Sequence, residues 1–390
     1  MATAVLDFDV EHLPPSVSVP QRYRAALILI RWRGKPIGQV TLPLSSGTIG
    51  GTTLREAVLQ KLREPLMTQL LHQYLGADSP RHETMPRATV AICTRDRPED
   101  LERCLTAIRK LPDDGHEILV IDSASRGDAT ARICEKLSVR CVREERPGLD
   151  RARNRALREA QTPIVAFTDD DAVPDPGWLR ALCRNFADPR VLAVTGLTLP
   201  LELETEAQEW FEKTNTMARG FVRRSYDGTA HNVLLVARIG AGANQAFRRD
   251  LLELVSPFDE ALDAGTPTHS GGDHDMYTRI LAAGYTIVYE PEALSWHRHR
   301  RSWRELLRAV YGYGVGVYAY WTGQLLRREV MVPRVALGWF RVQLAGLIRS
   351  LLRRPGATPL DVVFAELLGC VVGPFAYARS RRLLRRANRQ

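Results

Sequence analysis

Between residues 87 and 195, short β-branched apolar runs alternate with stretches of helical periodicity, and no other feature narrows the possible folds as far. The run at 88–93 (ATVAIC) reads as a strand, and 98–109 as a helix with Pro98 near its first position and Glu99 and Asp100 in its first turn. Further strands are expected at 117–121 (EILVI), 140–142, 164–168 (IVAFT) and 192–195, with helices at 130–137, 151–160 and 178–186 between them. This alternation predicts an α/β domain, a mainly parallel sheet covered by helices on both faces. Such sheets bind ligands beyond the carboxyl ends of their strands, so the polar residues that follow each strand are the ones to inspect.

Thr94, Arg95 and Asp96 follow the first strand, Asp122 and Ser123 the second, and Asp169, Asp170 and Asp171 the fourth. Carboxylates gathered at one sheet end repel one another unless a cation compensates them. The D-x-D formed by Asp169 and Asp171 offers hard oxygen ligands to Mg²⁺ or Mn²⁺, which in turn can hold a diphosphate. The plainer alternative is an acidic turn that caps the next helix. No G-x-G-x-x-G follows the first strand and no G-x-x-x-x-G-K-[ST] occurs, which disfavours dinucleotide binding and P-loop chemistry.

Downstream, Gly271-Gly272-Asp273-His274-Asp275 opens a helical stretch that ends at Gly284. A carboxylate at a helix N-terminus is stabilised by the macrodipole, and there Asp273 can serve as a general base or simply as an N-cap. His297, in 294–300 (LSWHRHR), is a candidate metal ligand or phosphate donor, and His299 can take the same role.

The order of these elements resembles the inverting, nucleotide-sugar-dependent glycosyltransferases of family 2, which have the GT-A fold. The matching segments are 90–101 (VAICTRDRPEDL), 119–125 (LVIDSAS), 148–156 (GLDRARNRA), 165–179 (VAFTDDDAVPDPGWL), 240–248 (GAGANQAFR), 258–262 (FDEAL), 272–285 and Trp296-His297. The resemblance implies that Thr94, Arg95 and Asp122 hold the base and ribose, that Arg153 lies near the nucleotide or its diphosphate, and that Asp170 reaches the ribose. It assigns Asp169, Asp171 and His297 to the metal or diphosphate and Asp273 to the catalytic base, with Asp171 the direct metal contact. Ala243-Asn244-Gln245 is expected to approach the donor sugar and acceptor. The chain departs from the family pattern twice. Gly272-Asp273 stands where the family often has Glu-Asp, and Asp122-Ser123 where it usually has Asp-Asp or Asp-Asn.

The implied reaction is a metal-assisted single displacement with Mn²⁺ or Mg²⁺ as cofactor. A sugar passes from a nucleotide-diphosphate sugar, UDP being the expected nucleotide, to an acceptor hydroxyl on a glycan or a lipid-linked molecule. Two alternatives belong to other classes: a nucleotidyltransferase that makes a nucleotide sugar, and a non-catalytic basic scaffold for membrane or nucleic acid. The first lacks an early Gly-rich, Lys-containing loop. The second lacks interleaved stacking aromatics, so no nucleic-acid partner is expected.

The net charge of +9 is concentrated at one end. Residues 298–390 contain eighteen Arg, no Lys and four acids, a local balance of +14 that leaves the rest of the chain slightly acidic. In 330–349, Arg334, Arg341 and Arg349 fall on one helical face with Val332, Leu337, Trp339, Phe340 and Leu344 around it. A helix of this kind can lie in an anionic membrane interface or pack on the catalytic domain. Near the end of the sequence, the longest uncharged apolar stretch, 367–378, is twelve residues, short of the ~20 that span a bilayer. Q-x-x-R-W, the mark of processive synthases in this family, does not occur, so non-processive transfer is expected.

The division expected is a small N-terminal α+β module (1–85), the GT-A catalytic domain (86–300), which is Rossmann-like, and an Arg-rich helical region (301–390). The module shows strands at 23–31 and 38–44, a helix at 53–74 capped by Thr53, and no chemical motif. Six cysteines without C-x-x-C spacing and an N-terminus lacking a basic, apolar leader suggest a reduced, cytoplasmic chain, peripheral on the inner face of the membrane.

Overall fold

The structure, a computed structural model, describes residues 2–44, 47–76, 85–229, 232–329 and 331–387. The boundary expected at 76–85 falls mostly on residues outside this set, as does Val330.

The N-terminal module is richer than its sequence suggests. It comprises β1 (Ala2–Asp9), β2 (Ser16–Ser18), β3 (Tyr23–Trp32), β4 (Lys35–Pro43), β5 (Thr48–Gly50) and α1 (Gly51–Tyr74). The central strand β3 pairs in parallel with β1 and antiparallel with β4. Because β3 is covered, its middle is a continuous buried run rather than an alternation. Helix α1 begins two residues earlier than expected, with Gly50 rather than Thr53 at its N-cap. It leaves helical geometry at Leu62, three residues before Pro65, whose ring clashes with the preceding turn. The module docks on the rest of the chain through Thr3, whose N–H donates to Leu203 O at 2.8 Å, and through an Arg31–Asp175 pair at 2.6 Å.

The central domain contains β6 (Ala88–Thr94), α2 (Pro98–Ile108), β7 (Glu117–Ser123), α3 (Ala129–Lys136), β8 (Arg140–Glu144), α4 (Leu149–Glu159), β9 (Ile164–Asp169) and β10 (Ala172–Pro174). It continues through α5 (Trp178–Cys183), β11 (Val191–Pro200), α6 (Glu206–Asn215), β12 (Arg224–Tyr226), β13 (Asn244–Arg248), α7 (Leu251–Leu254), α8 (Gly272–Ala282) and β14 (Thr286–His297). The sheet order is β10-β14-β11-β13-β9-β6-β7-β8, with β12 beside β14. Strands β8, β7, β6 and β9 are mutually parallel, as are β11 and β14. Between these two groups β13 runs antiparallel to both neighbours. The expected α/β architecture is thus present, a mainly parallel sheet with apolar cores on both faces. The reversed strand was not expected, because its five residues, NQAFR, carry no strand-like pattern.

Three helices close the chain: α9 (Trp303–Leu326), α10 (Val332–Leu351) and α11 (Leu360–Ala387). Helix α9 starts at a reciprocal cap between Ser302 and Glu305. Its backbone meets that of α11 at glycines: a Cβ on Gly314 would lie 2.4 Å from Glu366 O, and one on Gly369 2.3 Å from Tyr311 O. Helix α10, by contrast, buries only Val332, Gln343 and Ser350. By length and composition α11 is sufficient to cross a membrane, which revises the twelve-residue estimate, yet one of its faces is packed on α9.

Candidate active site

The carboxyl ends of β6, β7 and β9 deliver the expected residues to one edge of the sheet. Residues Thr94 and Asp122 sit side by side in the β6–β7 register, and Cys93 opposes Asp169. The turn after β9 leads into β10, whose antiparallel pairing places Ala172 opposite His297 at the end of β14. One short strand pair therefore brings the D-x-D and the histidine together from positions more than a hundred residues apart.

Asp169, Asp171 and His297 place one ligand atom each within 4.8 Å of one another. His297 Nε2 lies 3.1 Å from Asp171 Oδ1, and that oxygen has no well-aligned hydrogen bond among the described residues. A buried, under-coordinated carboxylate oxygen beside a second carboxylate and an imidazole is the donor set of a divalent cation with mixed O/N ligands. The residues fit the group. Burial and the adjacent Asp171 raise Asp169 above the usual carboxylate range. Burial would raise Asp171 as well, but His297, Arg300 and Arg97 outweigh it and hold Asp171 below that range. Burial opposes charge on His297, and Asp171 nevertheless raises its pKa.

Asp170 is not part of that cluster. It accepts from Thr94 Oγ1 at 2.7 Å and from Arg97 at 3.1 Å, while burial, only partly offset by Arg97, pushes it up to about 6. Arg97 also donates to Asp171 at 2.9 Å, and Arg300 reaches Asp171 at 3.4 Å. Asp122 is buried, accepting from Ser125 N–H at 3.0 Å and from Arg143 at 2.7 Å. Arg95 lies beside Asp96 at 3.7 Å. Sequence reasoning missed Arg97, Arg143 and Arg300. The signal for Arg143 was its register opposite Asp122 on β8.

Asp273 is in the first turn of α8, accepting from its neighbour His274 N–H at 2.8 Å and from Gly242 N–H at 3.2 Å. Both contacts leave the carboxylate partly exposed. Arg153 is buried between Asp150 (2.9 Å) and Asp263 (2.8 Å), and it feels the charges of both Asp273 and Asp169. Tyr313 of α9 likewise responds to Asp169, Asp171 and Asp273. A cleft opens beside this region at Arg97 and Arg300, the two arginines that bind Asp171. It holds about 340 Å³ and is lined by Arg97, His269, Arg300, Arg308, Gly312 and Tyr313 among others, so α9 forms one of its walls.

The glycine before Asp273 has a steric cause. A Cβ on Gly272 would lie 2.0 Å from Asp150 Oδ2, so the space that a Glu side chain would need is already filled by a carboxylate from α4. Asp275, also near the start of α8, is structural. It is fully buried and binds Arg279 and Gln324 at 2.8 Å each and also Arg327, tying α8 to α9. Removing one partner from such a cluster costs ~3–5 kcal/mol. Asn244, expected near the donor sugar, is fully buried too. Its amide donates to Leu197 O and Ala293 O and accepts from Trp178 Nε1. His299 does not join the acidic cluster but lies behind His297, ring nitrogen to ring nitrogen at 3.3 Å.

Residues 89–255 match the model of glycosyl transferase family 2. The pre-mycofactocin glycosyltransferase of Mycobacterium tuberculosis is 27% identical over 271 residues, 67% of this chain and 53% of that protein. The O-antigen chain rhamnosyltransferase RfbN of Salmonella typhimurium is 24% identical over 205 residues, 51% of this chain and 62% of that one. Among solved structures, the mannosyltransferase PcManGT from Pyrobaculum calidifontis, in complex with GDP-Man and Mn²⁺, aligns with a TM-score of 0.45 at 21% identity, over 85% of this chain and 84% of that one. The chain spans about half the length of the first of these curated relatives.

Proposed function

We propose, from the premise that residues 89–255 are a family 2 glycosyltransferase domain, that the chain transfers a sugar from a nucleotide-diphosphate donor to an acceptor hydroxyl with inversion at the anomeric carbon. The observation that carries this reading is the presence of two separate acidic groups, the Asp169–Asp171–His297 cluster and the partly exposed Asp273, with Arg153 and Tyr313 within electrostatic reach of both. Asp169, Asp171 and His297 hold the divalent cation, Mn²⁺ or Mg²⁺. When bound, it supplies Lewis-acid stabilisation of the charge that develops on the leaving diphosphate. Thr94, Asp170, Asp122 and Arg143 form the nucleoside end, for which the proposed base is the uracil of UDP. Arg97 and Arg300, which bind Asp171, would neutralise diphosphate oxygens of a bound donor. Asp273 removes the proton of the acceptor hydroxyl as its oxygen attacks the face opposite the nucleotide. One base and no covalent intermediate suffice, so the product has the opposite anomeric configuration. Proton NMR of the first product formed tests this; a product that retains the donor configuration contradicts it. The nucleotidyltransferase and scaffold alternatives are not favoured.

The acceptor is proposed to be a glycan or a lipid-linked molecule, reached from a membrane surface on the cytoplasmic side. Support comes from α10 and α11, which expose Trp339, Phe340, Phe364, Leu368, Val371 and Phe375. The same two helices and their connection carry ten Arg between 334 and 386, none of which forms an ion pair among the described residues. Exposed apolar area ringed by unpaired cations suits an anionic headgroup layer. The protein is expected to sediment with phosphatidylglycerol-containing vesicles at low salt and to be released as salt rises. Retention in the supernatant under those conditions contradicts peripheral binding.

A further inference from the structure

Helix α6 lies in the connection between β11 and β12, in a stretch where the sequence shows no catalytic motif. It is nevertheless well specified, with a reciprocal cap between Thr205 and Gln208. Gln208, Phe211 and Glu212 share one face at i, i+3 and i+4. All three engage a single residue. Gln208 Nε2 donates to His299 O at 3.2 Å, the Phe211 ring lies 4.7 Å from the His299 ring, and Glu212 Oε2 is 3.2 Å from His299 Nε2. The other Glu212 oxygen accepts from Thr216 Oγ1 at 3.0 Å, which fixes the carboxylate. His299 in turn places Nδ1 3.3 Å from His297 Nδ1, and His297 directs Nε2 at Asp171. Both rings are buried, at 5% and 3% exposure, so water does not replace these partners.

A neutral imidazole has one N–H and one lone pair, which makes the sequence of contacts directional. For His297 to offer the Nε2 lone pair to a cation, its proton must sit on Nδ1 and be accepted by His299 Nδ1. The His299 proton then sits on Nε2 and is accepted by Glu212. The carboxylate at the end, an acceptor in its ionised form, fixes the order of both protons. Metal-bound histidines characteristically donate their second nitrogen to such a partner, and losing it costs ~10–100-fold in metal affinity. We propose that Glu212 and His299 are positioning residues of the cation site: the chain Glu212–His299–His297 locks the His297 ring with Nε2 facing Asp169 and Asp171. This rests on the cation reading of the preceding subsection. It also gives α6 a role that the sequence did not reveal. The N-terminal module supports that helix, since Thr3 bonds Leu203 O ahead of it and Glu209 on it.

The test is Mn²⁺ titration of the full chain, followed by the EPR signal of free Mn²⁺, with pulsed EPR reading the ¹⁴N coupling of a coordinated imidazole. Wild type is expected to bind Mn²⁺ with that coupling, and His297→Ala to lose the coupling. Glu212→Leu is expected to lose ~10-fold or more in Mn²⁺ affinity. Two milder variants keep the test decisive if Glu212→Leu does not fold. Glu212→Gln keeps an oxygen at the same reach and is expected to stay close to wild type. Glu212→Asp keeps the charge but withdraws the acceptor by one methylene and is expected to lose affinity. The reverse order, with Asp matching wild type and Gln failing, or equal affinity in all variants, overturns the relay. Wild type without Mn²⁺ binding or without ¹⁴N coupling instead overturns the cation reading itself.

Discussion

Asp273→Asn is expected to reduce turnover by ~10²–10⁴-fold while leaving nucleotide binding unchanged. Asn is nearly isosteric with Asp, and its one side-chain oxygen can still accept from His274 N–H, which bonds Oδ1, at the cost of the longer bond from Gly242 N–H to Oδ2. What disappears is the capacity to take a proton. The split between turnover and binding is the informative part, and it is read by comparing kcat with the calorimetric Kd of the nucleotide in the same variant. Parallel loss of both quantities would assign Asp273 to building the pocket. Wild-type turnover would move the base elsewhere.

Asp171→Ala is expected to abolish metal-dependent nucleotide binding, a loss of at least ~100-fold, since it removes a ligand and not merely a ligand's support. The effect exceeds that of Asp170, whose contacts are Thr94 and Arg97. It also frees Arg97 and Arg300 from the carboxylate that holds them, so residual metal-independent binding through these arginines can survive. Calorimetry of the variant with and without Mn²⁺ separates the two contributions. A variant that keeps its Mn²⁺ dependence would place the cation on other residues.

Sequence and structure agree best where chemistry follows directly from a strand. Thr94, Asp122 and the Asp169–Asp171 run each end a β-branched apolar strand, and a parallel sheet must bring such ends to one edge. The position of His297 is less direct, because it depends on the antiparallel pairing of a three-residue strand, β10, with the far end of β14. Such pairing leaves no local pattern. Strand β13 was missed for a related reason: NQAFR is too short and too polar for a periodicity, and its burial comes from β9 and β11 on either side.

The residues that surround the site were the least legible. Arg97 could be seen in the motif, but not its reach to Asp170 and Asp171 across the turn. Tyr313 and Arg308 lie beyond the boundary expected at residue 300, on α9, yet they line the cleft. Glu212 sits in a stretch without periodic signal, and its role depends on a contact 87 residues away. The missing Glu at position 272 looked like a loss in the sequence. In three dimensions Asp150, from a helix more than a hundred residues earlier, occupies that place.

The central claim is that a divalent cation held by Asp169, Asp171 and His297 mediates nucleotide binding at this cleft. It is tested most directly by calorimetric titration of UDP, GDP and dTDP into the full-length wild-type chain, each with and without Mn²⁺. The predicted result is binding of one nucleotide, UDP, that requires Mn²⁺ and saturates at one site per chain. Binding that is equally tight without the cation, or no binding of any of the three, would contradict it.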